Sequence, residues 1–135
     1  MKRMIVLVVL FVLSAWAGAQ TVAEHLAAGD AAYERYDNAG ALKHYQAAWK
    51  VDSTNCDALW KIARSHIDIG ELADEKTQKV NYYQGEKFAR AAVRHCPNSA
   101  DAHLMLAVSV GRVALMVGGK KKVELSKEVK AEAKK

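Results

Sequence analysis

Apolar residues recur at steps of three and four along most of the chain after residue 20, with polar residues between them. This is the spacing of an amphipathic α-helix, in which one side of each helix packs on a core. Short polar or glycine-containing stretches divide the pattern into six segments. The sequence therefore predicts an all-α protein of six helices.

Polar capping residues set the boundaries of the first two helices. Thr21 and Glu24 have the spacing of a capping box, which predicts a helix that begins there and runs to about Tyr36. Asp37 and Asn38 can end it and cap a second helix, which we expect to end near Val51. The apolar residues of the second helix are Leu42, Tyr45, Ala48 and Trp49.

The third and fourth helices follow the same logic. A turn at residues 52–55 supplies an N-cap, and Gly70 is expected to end the third helix. His95 is expected to end the fourth. We predict that the buried face of the third helix carries Leu59, Ile62, Ala63 and Ile67, and that of the fourth Val80, Tyr83, Phe88, Ala91 and Ala92.

Small and aromatic residues repeat at a fixed spacing. Ala28, Gly29, Ala32 and Tyr33 are followed by Ala41, Tyr45 and Ala48, which resembles a tetratricopeptide unit of roughly 34 residues. Small residues are needed where two helices cross closely, and aromatic rings fill the space beside them. The pattern predicts a short right-handed α-solenoid of about three units, at residues 22–55, 56–99 and 100–135.

The second unit is longer than the repeat requires. Pro97 lies 44 residues after Ser53, so about ten residues have been added. These lie between Glu71 and Asn81 and are mostly charged or amide-bearing. We expect them to lengthen the turn and the exposed start of the fourth helix.

The third unit is the least regular. Pro97 and Ser99 repeat the turn and cap, while His103, Leu106, Ala107 and Val110 take the places of His25, Ala28, Gly29 and Ala32. Gly118 and Gly119 separate its two helices, and the second is expected to pack through Val123, Leu125, Val129 and Ala133. It stops at Lys135 without a cap, so either the chain is a fragment or another molecule covers this open face.

The first nineteen residues resemble a processing signal. Lys2 and Arg3 precede an apolar run from Met4 to Leu13, and Ala19 ends a small-residue cleavage pattern. The run is shorter than the roughly 20 residues of a membrane-spanning helix. We expect an exported protein, periplasmic or extracytoplasmic, cleaved after Ala19; a retained anchor is the alternative.

The charge of the remaining chain excludes a typical nucleic-acid binder. Loss of Lys2 and Arg3 lowers the net charge from +5 to +3. Most of this lies between Lys120 and Lys135, where seven lysines alternate with three glutamates. A solvated helix face explains that segment better than a membrane contact, because no aromatic residues are interleaved.

Three segments resemble the regulator of microtubule dynamics family: Asp57 to Arg64, Tyr82 to Ala89, and Pro97 to His103. The likeness covers most of residues 22 to 135. It implies a tetratricopeptide-like helical domain with an adaptor role, in a family whose eukaryotic members are linked to microtubules and organelle contacts. The leader has a bacterial form. Family members continue beyond Lys135, which favours a fragment.

The first helix of each unit lines the concave surface of a tetratricopeptide stack, and this identifies candidate groove residues. They form a mixed apolar and charged set that suits a protein or peptide partner. It does not contain the combination of Lys, Asn and Arg residues that clamps a terminal carboxylate in some such proteins. The predicted groove residues are Leu26, Asp30, Tyr33 and Glu34 in unit one, Trp60, Arg64, Ile67 and Asp68 in unit two, and Leu104, Val108 and Arg112 in unit three.

Trp60 and Arg64 stand one helical turn apart. Trp and Arg often dominate the binding energy of interfaces. Alternatively, Trp60 packs between helices while Arg64 pairs with Asp68, one turn further on. The sequence leaves both interpretations open.

Cys56 begins the third helix and Cys96 follows the fourth. Antiparallel helices bring those ends together, which predicts a disulfide in an oxidising compartment. Two buried thiols are the alternative, and a metal or redox role of the pair is a further one.

Enzymatic motifs are missing from the sequence. The five histidines show no ligand spacing, and His95, Cys96 and Cys56 lack a fourth ligand. The segment Gly118-Gly119-Lys120 lacks the remaining residues of a phosphate-binding loop. We therefore expect no catalysis, no cofactor and no metal.

Two functional hypotheses follow. In the first, the protein is an adaptor that binds a segment of a partner protein in its groove. In the second, it is a structural subunit that forms homo-oligomers through its open third unit.

Overall fold

A computed structural model describes residues 20–135, and the predicted leader lies outside this range. These residues form six α-helices and no strands, which confirms the all-α prediction for this part of the chain. The helices are α1 (Val22–Glu34), α2 (Asn38–Val51), α3 (Cys56–Glu71), α4 (Glu75–His95), α5 (Ala100–Met116) and α6 (Gly119–Glu132). None of them combines the length and hydrophobicity needed to cross a membrane.

Side-chain caps begin five of the helices. Thr21 and Glu24 form the predicted capping box, in which each side chain accepts a hydrogen bond from the other residue's backbone N–H at 3.2 Å. Asp37, Asn55 and Ser99 cap α2, α3 and α5 as predicted. Asp74 was not predicted as a cap; its carboxylate accepts the backbone N–H of Thr77 and fixes the start of α4.

Consecutive helices pack in pairs. The disulfide between Cys56 and Cys96 joins the start of α3 to the end of α4. His103 near the start of α5 contacts Glu132 at the end of α6. Both pairs are therefore antiparallel hairpins, and α1 packs on α2 in the same sequential manner.

Two glycines allow tyrosine rings to lie against the neighbouring helix. Tyr45 of α2 lies over Gly29 of α1, so closely that a Cβ atom at Gly29 would collide with the ring. A Cβ atom at Gly70 of α3 would lie 2.8 Å from Tyr82 of α4. The Gly29–Tyr45 contact is a close helix crossing of the kind that the small-residue pattern predicts, whereas the Gly70–Tyr82 contact was not predicted.

The hydrophobic core runs through all six helices. One cluster joins α1, α2 and α3 around Tyr45 and Ile62, and a larger one joins α3, α4, α5 and α6 around Ile67, Val110 and Leu125. Phe88 of α4 packs against both clusters. Continuous packing of this kind fixes the positions of α1, α3 and α5 relative to each other.

Helix α1 ends two residues earlier than predicted. Tyr36 adopts a left-handed backbone conformation with φ 61°. The backbone N–H of Asp37 then donates to the carbonyl of Ala32, and that of Tyr36 to the carbonyl of Tyr33. This is the Schellman arrangement, in which the left-handed residue lies outside the helix.

The extra residues of the second unit lengthen helix α4 and not the turn that precedes it. Only residues 72–74 separate α3 from α4, while α4 has 21 residues. The prediction of an extended start to the fourth helix was right, but the prediction of a longer turn was wrong. The Asp74 cap starts the helix as soon as α3 ends.

The predicted buried faces of α4 and α6 were partly wrong. Val80 and Tyr83 are exposed, whereas Tyr82, Gly85, Ala89 and Ala92 are buried. Gly70 and Ile67 of α3 receive Tyr82 and Gly85, and this contact determines which side of α4 faces the core. In α6 Leu125 is buried, while Val123 and Ala133 are exposed.

Candidate functional site

A stack of aromatic and cationic side chains joins α1 to α3. The guanidinium carbon of Arg64 lies 3.6 Å from the centre of the Tyr33 ring and 5.0 Å from that of Trp60. A cation over an aromatic face is attracted by the negative potential of the ring. Tyr33, Trp60 and Arg64 are all half-buried. We call these three residues the Tyr33–Arg64–Trp60 stack.

A partly buried hydrogen-bond network lies beside the stack. Lys61 donates to both carboxylate oxygens of Asp30 at 2.7 Å, and the Tyr45 hydroxyl donates to Asp30 Oδ1 at 2.7 Å. Arg64 Nη2 in turn donates to the Tyr45 hydroxyl oxygen at 3.3 Å. The network holds α1, α2 and α3 together next to the stack, so the stack is fixed before any partner arrives.

The network shifts two pKa values in opposite directions. Burial opposes ionisation of Asp30, but hydrogen bonds from Lys61 and Tyr45 outweigh it and lower the pKa of that carboxyl. Burial and the bond to the Asp30 carboxylate raise the pKa of the Tyr45 hydroxyl. Asp30 is therefore anionic and Tyr45 neutral at physiological pH.

Asp68 lies on the wall of a cavity of about 310 Å³ with Tyr33, Tyr36 and Glu71. Its Oδ2 atom is buried and has no hydrogen-bond partner within residues 20–135. Burial raises the pKa of this carboxyl, which the positive charge of Arg64 partly offsets. The positive charge of Arg64 therefore acts on Asp68, but the two side chains do not form the hydrogen-bonded pair that one interpretation of the sequence expects.

The structure removes one residue from the predicted groove set. Ile67 is 3% exposed and packs in the larger core cluster, where a Cβ atom at Gly85 would lie 2.8 Å from its Cδ1. Its assignment to a groove was wrong because the side of α3 that carries Ile67 faces α4. Asp68, the next residue along the chain, lies on the other side of the helix.

The remaining predicted groove residues have varied surroundings. Leu26 packs against the cluster around Tyr45, and Val108 packs, like Trp60, against the larger one. Arg112 Nε lies 2.7 Å from Glu71, which links α5 to the end of α3. Glu34 and Leu104 are exposed.

Lys61 and Tyr45 are central to the site, yet neither was predicted to belong to it. Lys61 meets Asp30 across 31 residues and Tyr45 meets it across 15. Tyr45 was recognised only as a packing residue of the repeat. The one available signal was a lysine beside Trp60 on the polar side of α3, which is too common to indicate a partner.

Cys56 and Cys96 form a disulfide in the structure, with their Cα atoms 6.0 Å apart. Cys96 is buried and Cys56 is partly buried. The bond ties the first residue of α3 to the C-cap of α4. It closes the middle hairpin at the end opposite the turn at residues 72–74.

Potential metal ligands do not gather within residues 20–135. No group of three or more His, Cys, Asp or Glu side chains in this range could hold an ion. His66 Nδ1 lies 2.9 Å from the Asn81 Oδ1, and burial lowers its pKa, so the neutral ring donates to the amide oxygen. His66 thus links α3 to α4 as a structural residue.

The geometry defines an all-helical protein built from packed helical hairpins, with a rigid aromatic and cationic surface between α1 and α3. A sequence model of the family "Regulator of microtubule dynamics protein 1-3" matches residues 25–135. The chain belongs to this family.

Mammalian relatives match parts of the chain. It is 36% identical over 69 residues to regulator of microtubule dynamics protein 3 of Rattus norvegicus, which covers 50% of this chain and 15% of the relative. It is 28% identical over 91 residues to regulator of microtubule dynamics protein 1 of Bos taurus, which covers 65% of this chain and 29% of the relative. The match therefore spans less than a third of either relative.

Proposed function

We propose that this protein is a non-catalytic adaptor that binds a segment of a partner protein on the surface formed by α1, α3 and α5. In this proposal the three hairpins form a short tetratricopeptide-like solenoid whose concave side carries the groove. The single observation that carries it is the Tyr33–Arg64–Trp60 stack. Membership of the regulator of microtubule dynamics family supports a protein-interaction role in general.

The stack has the properties of a binding hot spot. Tyr, Trp and Arg are the residues enriched in such positions, and rigid side chains lose little entropy when a partner binds. The network of Asp30, Lys61 and Tyr45 holds the stack in place. Arg64 Nε is buried without an acceptor among residues 20–135, so the guanidinium retains hydrogen-bonding capacity.

A peptide library displayed on phage tests the adaptor proposal on residues 20–135. We expect selection to enrich peptides that compete with one another for one site. Their binding should be lost in Trp60→Ala and reduced in Arg64→Met, which keeps the packing volume and removes the charge. Tyr83→Ala is the matched control, because Tyr83 is an exposed aromatic residue on α4.

Two outcomes count against a groove. One is selection without enrichment. The other is equal binding of the enriched peptides to the wild type and to both stack variants. Thermal unfolding of each variant separates lost binding from lost folding: a Trp60→Ala protein that simply unfolds indicates a packing role for Trp60.

The second candidate function is a structural subunit that forms homo-oligomers through the third hairpin. Its support is that Leu104, Leu115 and Val123 are all exposed in α5 and α6. Exposed apolar residues that gather on one surface mark contact sites. Light scattering at micromolar concentration tests this: a monomer, unchanged by Leu115→Glu, rules it out.

We also propose that the protein is exported and processed after Ala19. The leader-like residues 1–19 motivate this, and the Cys56–Cys96 disulfide suits an oxidising compartment. N-terminal sequencing of the protein from the envelope fraction should begin at Gln20. Recovery of the chain in the cytoplasmic fraction with Met1 intact would contradict export.

A further inference from the structure

A cleft between α2 and α4 has an apolar floor and a basic rim. Its volume is about 320 Å³. Trp49, Leu59 and Phe88 form the floor, and Lys87, Arg94 and His95 stand around it. No residue that lines this α2–α4 cleft belongs to the predicted groove, although Trp60 packs against the same apolar cluster as the cleft floor.

The floor is rigid. The rings of Trp49 and Phe88 meet edge to face, with centres 5.6 Å apart, and Leu59 is 1% exposed. Phe88 also stacks on His66 at 6.0 Å. The disulfide lies close by in sequence, since Cys96 follows His95 and Cys56 lies three residues before Leu59. It fixes the end of α4, which carries Arg94 and His95, to the start of α3, which carries Leu59.

Lys87 and Arg94 give the rim its positive charge, and neither forms an ion pair within residues 20–135. No carboxylate lines the cleft. Arg94 and His95 stand in the last turn of α4, where positive charge interacts favourably with the helix dipole. The helix dipole does not explain why Lys87 stands at the rim, two turns earlier, or why the floor is aromatic.

We propose that the α2–α4 cleft binds an acidic segment of a partner protein that carries an aromatic or branched aliphatic side chain between carboxylates. The apolar side chain enters the cleft and the carboxylates contact Lys87 and Arg94. A volume near the lower end of the range for ligand pockets suits one or two side chains. Charge complementarity selects an acidic segment over a neutral or basic one.

Nuclear magnetic resonance titration of residues 20–135 with the blocked peptide acetyl-Asp-Phe-Glu-amide tests this proposal. We expect shifts of the Trp49 indole N–H and of the backbone amides of Arg94 and His95. Acetyl-Asn-Phe-Gln-amide lacks both charges and should bind roughly fivefold to tenfold more weakly. Acetyl-Asp-Ala-Glu-amide should also bind more weakly, because it has no ring to enter the cleft.

A charge-reversal pair provides the matched control. The double variant Lys87→Glu/Arg94→Glu should prefer acetyl-Lys-Phe-Lys-amide to the acidic peptide. Lys76→Glu/Lys79→Glu makes the same charge change on exposed positions of the same helix and should keep the wild-type preference. Circular dichroism confirms that each variant is folded.

Three results would overturn the proposal. The first is no shift in the cleft with the acidic peptide, and the second is equal binding of the uncharged peptide. The third is binding of phosphatidylglycerol vesicles through Lys87 and Arg94 without peptide binding, which would assign the cleft to a membrane surface. Arg64→Met, which alters the proposed groove without touching the apolar cluster of the cleft floor, should leave the titration unchanged, so this test and that of the groove fail independently.

Discussion

The Arg64 guanidinium stacks on the Tyr33 ring at 3.6 Å, and this contact joins the first hairpin to the second. The two residues are 31 positions apart in the sequence and lie on different helices. The stack therefore reports on packing between hairpins as well as on the proposed groove.

A double-mutant cycle should measure this contact. Tyr33→Leu removes the ring and Arg64→Met removes the cation, and each variant keeps an apolar side chain at its position. We expect a coupling free energy of about 1 kcal/mol from chemical unfolding of the two single variants and the double variant. A cycle that pairs Arg64→Met with Tyr83→Leu is the control and should show no coupling, because Tyr83 lies exposed on α4.

Replacement of two helical glycines by alanine should have opposite effects on stability. At Gly29 the added methyl collides with the Tyr45 ring, which is fully buried and cannot move away. Overpacking should exceed the gain in helix propensity, and Gly29→Ala should lower the free energy of unfolding by about 1–3 kcal/mol.

Gly111 is the matched position. A Cβ atom there would meet only Val129 Cγ2, at 3.8 Å, which is an ordinary contact. Gly111→Ala should therefore raise the free energy of unfolding by about 0.5–1 kcal/mol, since alanine favours the helix. Urea denaturation of both variants measures the two changes in the free energy of unfolding. Equal effects at the two positions would mean that Tyr45 does not lie against Gly29.

His103 should make the stability of the third hairpin depend on pH. Its Nε2 lies 2.7 Å from the carbonyl of Pro97 and its Nδ1 2.6 Å from Glu132, so both ring nitrogens face acceptors. The bonds to Pro97 and Glu132 raise the pKa of His103, against burial and the nearby charge of Lys135. Burial opposes ionisation of Glu132, but His103 and Lys135 lower its pKa overall.

The two shifts define a window. A raised histidine pKa contributes stability below its ordinary value of about 6.5, and this is lost as the pH rises through the folded-state pKa. The lowered pKa of Glu132 contributes stability above about pH 4.3 that is lost in acid. Urea denaturation of the wild type should therefore show stability that falls as the pH rises above about 6.5 and through the raised folded-state pKa of His103. His103→Gln should flatten that fall, and an unchanged slope would contradict the assignment.

Removal of the Cys56–Cys96 disulfide should cost about 4 kcal/mol of stability on the loop-entropy model, for a sequence separation of 40 residues. Cys56→Ala/Cys96→Ala measured against the oxidised wild type gives this value. Reduced wild type should match the double variant. Thiol titration of denatured, unreduced protein is the direct check, and two reactive thiols would show that the bond is absent from the native protein.

Much of the fold followed from local signals. Thr21, Asp37, Asn55 and Ser99 mark helix starts because their side chains accept orphan backbone N–H groups within three residues. The side of α4 that faces the core was harder to predict. Tyr82 and Tyr83 are adjacent. A helical pattern of buried positions can include Tyr82, and the same pattern shifted by one residue includes Tyr83 instead. Only the fit of Tyr82 against Gly70 decides between them, and that contact joins different helices.

The candidate site was predicted less completely. Periodicity correctly brought Trp60 and Arg64 together, because they lie one turn apart on α3. It could not show that Arg64 reaches Tyr33, or that Asp30 accepts hydrogen bonds from Lys61 and Tyr45. These contacts depend on how one hairpin is placed on the next, which no spacing within a single helix encodes.

The covalent ring closed by Cys56 and Cys96 also bears on how the molecule responds to tension. A force applied to the two termini passes through the disulfide and bypasses the loop between the cysteines, so α3 and α4 carry none of it along their length. The fully stretched oxidised chain is then shorter than the reduced one by the contour of about 40 residues, roughly 130 Å. Oxidation of one bond therefore sets the greatest distance to which the two ends of the chain can be drawn apart.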